Sequence, residues 1–121
     1  MTKRRHAREV PPGDPTRGII QSLAEDERHV HFDKRAFGRA VFEMEFTSAG
    51  VRGLIEAAAA SGACRLWVTR TQHAPGLRGQ TIYQICPQCG ELDVFIEFKI
   101  APDQELWVFS IHEDSEKGEY R

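Results

Sequence analysis

Long apolar runs are missing from this chain, and with them any segment able to span a bilayer as a helix. The basic N-terminus lacks the apolar stretch that a secretory signal needs. A surplus of one charge is missing too. The 16 Lys and Arg nearly balance the 18 Asp and Glu, and a formal net charge of -2 makes no global case for a nucleic-acid or membrane partner. Cysteine is scarce, and three is an odd number that does not make a disulfide framework. A reducing, cytoplasmic setting is expected. There is no internal repeat, no phosphate-cradling loop and no compact nucleophile–base pair. What is present suits a globular protein: 121 residues, 40% hydrophobic and 28% charged, enough for one domain with a modest core.

The most distinctive stretch is Cys86-Pro87-Gln88-Cys89-Gly90, between strand-like runs at 80–85 and 91–98. It reads as a β-hairpin whose turn carries two thiols, with Gly90 free to take the positive φ of a tight turn. The spacing lets both sulfurs point at one metal. This pentapeptide resembles the knuckle of zinc-ribbon and rubredoxin-like proteins.

Residues 1–17 read as a flexible basic arm, with Lys3, Arg4, Arg5 and Arg8 followed by Pro11, Pro12, Gly13 and Pro15. It is either a solubilising tail or an electrostatic arm for nucleic acid, although it has no aromatic residue for a base to stack on. A single domain is expected over 18–113, then a charged tail over 114–121. Asp14 and Pro15 are suited to cap and open a short helix with Ile19, Ile20 and Leu23 on its apolar side. His29 and His31 share one face of a short strand, as a metal pair or as two half-exposed side chains. A turn follows over 33–38. Over 40–46 the alternation predicts a strand, with Phe42, Met44 and Phe46 on one face and Glu43 and Glu45 on the other. The two carboxylates read as the wet face of an edge or as an acid–base pair. Thr47 or Ser48 then caps a helix whose stripe is Val51, Leu54, Ile55, Ala58 and Ala59, stopping at Gly62. Strands follow at 64–70, 80–85, 91–98 and 105–112. A loop at 71–79 carries His73 and Arg78, and a turn at 101–104 has Pro102 in its first central position.

Strand, helix, then four strands joined by short links imply an α+β domain. The expected architecture is a mostly antiparallel sheet of about five strands, one main helix packed on one face, and a zinc-knuckle-like hairpin. In such a meander Cys64, Cys86, Cys89 and His112 all lie at one end of the sheet, and His73 at the other. Three thiols and an imidazole form a closed structural set for Zn2+, which would stabilise the fold without catalysing. Alternatively, Cys64 is a small buried hydrophobe and His112 a surface residue.

One helix cannot cover both faces of such a sheet, so the N-terminal segment or another molecule must cover the second. The expected function is therefore that of a small non-catalytic binding protein: an inhibitor, an antitoxin or immunity-type partner, or an adaptor. It would contact a protein partner or a second copy of itself through Trp67, Phe95 and Trp107. One alternative is a small ribonuclease-toxin-like enzyme using His73, Arg78 and Tyr83. Another is a nucleic-acid-binding protein using the basic arm with Arg65, Arg70 and Arg78. No membrane partner is expected.

Overall fold

The computed structural model describes residues 8–61, 64–70 and 81–113. Its elements, in order, are β1 (Arg8–Glu9), α1 (Pro15–Glu25), β2 (Val30–Phe32), α2 (Lys34–Gly38), a π-helical turn (Arg39–Glu43) and α3 (Ser48–Ala60). The remaining elements are β3 (Leu66–Arg70), β4 (Thr81–Ile85), β5 (Gln88–Cys89), β6 (Leu92–Ile100) and β7 (Leu106–Glu113). A short 3-10 turn, Glu27–His29, precedes β2. The architecture is α+β, with three α-helices and one mixed sheet of seven strands among the described residues. The sheet runs β1-β3-β4-β6-β7-β2, and β5 pairs with β6 off that path. β3, β4, β6 and β7 form the antiparallel meander that the short links require. β2 is the exception and lies parallel to β7. No helix among the described residues is long and apolar enough to cross a membrane.

Local chemistry starts each helix. The Asp14 carboxylate accepts from the Thr16 N–H at 2.9 Å with Pro15 in the first turn, as the sequence predicts for α1. Asp33 accepts from the Ala36 N–H at 2.8 Å and opens α2, where a simple turn is expected. The Thr47 hydroxyl accepts from the Gly50 N–H at 2.9 Å and opens α3. α3 ends at Ser61, one residue before the expected stop.

α1 packs along α3, and each helix caps the C-terminal end of the other with an arginine. Arg52 of α3 donates to the carbonyls of Ala24 and Glu25 at 3.2 and 3.3 Å. Arg17 of α1 is buried at 5% exposure. Its guanidinium donates to Ala58, Ala59 and Ser61 at the end of α3, to Val10 after β1, and to Cys64 before β3. All five acceptors are backbone oxygens. Residues 8–10 therefore belong to the domain: β1 pairs antiparallel with β3, and Val10 is in the core. The expected arm over 1–17 contracts at this end, and residues 1–7 lie outside the described residues.

The largest departure is at 40–46. In place of a strand, the helix begun by Asp33 continues through Gly38 in the αR region and widens into the π-turn. Met44 N–H reaches back five residues to Arg39 O at 3.0 Å. Glu45, at φ 59, then reverses the chain, and Phe46 N–H closes on Ala40 O at 2.8 Å. The alternation was misleading because the Asp33 cap had already started a helix, which runs on through Gly38 into this segment. A helix instead buries Ala36 and Ala40 and leaves Phe42 outside.

The core lies between the helices and one face of the sheet. Ile20, Val51 and Ile55 meet Leu66, Ile85, Ile96, Phe98, Val108 and Ile111 there. Residues of opposite parity along each strand form the far face. Trp67, Gln84, Glu97 and Ser110 make one rung of it, and Thr69, Ile82, Lys99, Trp107 and His31 make another.

Candidate binding surface

The segment 34–43 is fixed on one side and open on the other. Ala36 and Ala40 are buried against β7 and its neighbours, which anchors the segment to the sheet. The opposite arc carries Lys34, Arg35, Phe37, Arg39 and Phe42, all exposed. Phe42 is 80% exposed, far beyond any other large hydrophobic residue described, and Phe37 is 45% exposed. Phe37 is steadied by an edge-to-face contact with Phe32, ring centroids 6.3 Å apart. Lys34, Arg35 and Arg39 form no ion pair among the described residues. The acids flanking this stretch are Asp33, half-buried as the α2 cap, and Glu43 and Glu45, both exposed beyond Phe42. The sequence hint was present in Lys34-Arg35-Ala36-Phe37-Gly38-Arg39-Ala40-Val41-Phe42, where cations and aromatics recur at helical intervals behind an Asp cap.

A second polar cluster lies at the foot of β2. His29 and His31 do share a side, and what joins them is Glu105 from the β6–β7 turn. His29 Nδ1–H donates to one carboxylate oxygen at 2.7 Å and His31 Nε2–H to the other at 2.6 Å. These two bonds hold the Glu105 carboxyl below its ordinary range, His29 contributing first. Asp26 lies 3.7 Å from His29 Nε2, and its own carboxyl is depressed by the bonds from Arg28. The His31 ring stacks on Trp107 with centroids 4.7 Å apart. Glu105 was missed because its partners lie more than 70 residues away and only the parallel pairing of β2 with β7 unites them.

The four expected zinc ligands do lie at one end of the sheet, as the meander requires. The plane of the sheet, however, divides them. The hairpin keeps a regular register to its tip, with Gln88 opposite Asp93 and Cys89 opposite Leu92. The turn is therefore Gly90-Glu91, with Gly90 at the expected positive φ of 65. Two residues three apart in an extended strand face opposite ways. Cys64 packs against the core, and Cys89 is opposite Leu92, which also packs there. Cys86 and His112 fall on the far face. His112 lies over Phe95, centroids 5.0 Å apart, and its Nδ1–H donates to Glu113 O at 2.9 Å. Burial pushes the Cys64 thiol up, away from the thiolate that zinc takes. No group of three or more His, Cys, Asp or Glu among the described residues is placed to hold a metal. In this register the four residues divide two and two between the faces of the sheet.

Compared with known proteins, the chain matches no family model, no curated protein and no solved structure. Its chemistry must be read from its own side chains.

Of the candidate acid–base groups, His73 and Arg78 lie outside the described residues. Tyr83 is half-buried and stacked on Phe98 at 5.6 Å, and burial raises its phenol. Glu43 ends the π-turn and Glu45 follows it, so the two do not share the face of a strand. The sheet aromatics also differ in exposure. Phe95 is 1% exposed, Trp67 is half-buried with the Arg65 guanidinium 5.8 Å above its ring, and Trp107 is 37% exposed.

Proposed function

We propose that this chain is a small non-catalytic binding protein whose contact surface is the outer arc of residues 34–43. The observation that carries this reading is Phe42. A phenylalanine 80% exposed forgoes the burial that normally stabilises such a ring by about 1.5–3 kcal/mol. It stands on a segment pinned by Ala36 and Ala40, so the ring is presented on a rigid support. π-helical turns of this kind are frequent at functional sites. Trp107, beside His31, is the sheet aromatic that remains available for a protein partner or a second copy.

The test is site-specific photo-crosslinking. A photoreactive phenylalanine at position 42 should trap a partner in cells, and the same group at position 95 should trap none. Equal or absent crosslinking at the two positions would reject the surface. The enzyme alternative has its own assay: RNA cleavage that disappears in His73→Ala would put catalysis first.

Structural zinc is a separate proposal, resting on the Cys86 and Cys89 spacing with Cys64 and His112 as its completion. It requires the hairpin tip to leave the register described above. Purified protein should then carry about one zinc per chain, and Cys86→Ser should lower the melting temperature sharply. Metal-free protein that melts unchanged after that substitution would remove the proposal.

A further inference from the structure

We infer that the outer arc of residues 34–43 binds single-stranded nucleic acid, with Phe42 as the stacking platform and Lys34, Arg35 and Arg39 as the phosphate contacts. The inference rests on the binding-protein reading and names the partner of that same surface. Two observations favour it over an acidic peptide. First, Phe42 stands exposed on the π-turn, on the side away from buried Ala36 and Ala40. A peptide anchor gains most by filling a desolvated pocket, whereas a base needs only the flat face of a ring. Second, the three exposed cations are interleaved in sequence with the two aromatics and form no ion pair among the described residues. Arg35 and Arg39 are one helical turn apart, and Phe42 is three residues beyond Arg39. The chain as a whole is slightly acidic, so attraction to phosphate must come from local groups of cations such as this one. Exposed Glu43 and Glu45 beside Phe42 limit how closely phosphates approach that end, which places them toward Arg39, Arg35 and Lys34, where the neighbouring acid, Asp33, is half-buried as the cap of α2. Phe37, half-covered by Phe32, offers a second ring edge along the same path.

The test is fluorescence anisotropy of the full chain with labelled single-stranded RNA and DNA of about 12 nucleotides, and with a duplex of the same sequence. Single strands should bind better than the duplex. Phe42→Ala should weaken binding about five- to a hundredfold, the range found for loss of one stacked base. Phe42→Trp should restore it, and Phe42→Leu should not, because leucine keeps the apolar bulk without the π-face. The slope of log affinity against log salt should be about -2 for three phosphate contacts, and about -0.7 in the Arg35→Gln, Arg39→Gln double variant. All these side chains are exposed, so the circular dichroism spectrum should not change. Equal affinity of wild type and Phe42→Ala, equal binding of duplex, or no binding at low salt would overturn the inference. If those results came with position-42 crosslinks to a protein, the binding-protein reading would survive alone. If the crosslinks were absent as well, both would fall.

Discussion

At the scale of single residues, Arg17 shows how much of this structure depends on one side chain. A buried guanidinium without a carboxylate is costly unless its donors are satisfied. Here it is satisfied by carbonyls from α3, from the start of β3 and from the strand that opens the domain. Three segments that share no neighbouring sequence meet on five donors in a rigid plane. Nothing local announced this, because Arg17 follows a run of prolines and reads as the end of an arm. The caps were legible, since Asp14, Thr47 and the positive φ of Gly90 each act within three residues of their own position. Arg17 acts across more than 40 residues, and only the assembled fold reveals it. Arg17→Met leaves buried carbonyls without their donor and should lower stability by about 3 kcal/mol or more, at about 1–3 kcal/mol for each acceptor left unsatisfied. Arg17→Lys keeps the charge but has one point of donation in place of a fork, and should lose about half as much. Urea unfolding of the two variants measures both values. A lysine variant as stable as wild type would show that charge alone is enough.

At the scale of elements, the contrast is between α2 with its π-turn and the strand β2 just before it. Both were short, ambiguous runs in the sequence. The alternation over 40–46 suited a strand, but the Asp33 cap starts a helix that continues through Gly38, and Ala36 and Ala40 are buried at helical spacing against β7. β2 has only three residues, so ladder bonds alone hold it weakly. The His29–Glu105–His31 bridge adds a side-chain clamp between the approach to β2 and the turn before β7. Asp26, the cap of the 3-10 turn, lies 3.7 Å from His29 at the edge of this clamp and is itself bonded by Arg28. The Glu105 carboxyl is depressed in the folded chain by its two histidine bonds. A depressed carboxylate stabilises above its unfolded pKa, ordinarily 4.5 here, and that stabilisation is lost as pH falls through the lower folded value. Amide exchange at residues 30–32 should therefore be slower in wild type than in Glu105→Gln above about pH 4.5, and the difference should vanish in stronger acid. An unchanged difference across that acid range would mean that the carboxylate does not hold β2.

At the scale of the molecule, the order of the four later strands was readable because short links leave antiparallel neighbours little choice. The short strand at β2 was readable, but its parallel pairing was not, because its partner is more than 70 residues away. The split of the zinc set has the same origin. Topology brought four residues to one end of the sheet, but strand parity, which depends on where the turn falls, assigned them to opposite faces. The far face is also less apolar than the sequence suggested, since Gln84, Glu97, Ser110, Thr69 and Lys99 share its rungs with the aromatics. Stability must then come chiefly from the single core between the helices and the near face. Within it, Ile55 is fully buried while Leu54, its neighbour on α3, is only half-buried. The two positions looked equivalent on the helical stripe, but α3 rests against α1 as well as the sheet, and this turns Ile55 inward. Ile55→Ala should cost about 2–5 kcal/mol, and Leu54→Ala about 1 kcal/mol. For a domain of this size the first should lower the melting temperature by at least about 6 °C, and the second by a few degrees at most. Thermal unfolding of both variants tests this ranking. A larger loss at Leu54 would place the helix against the sheet through its other edge and rule out the core described here.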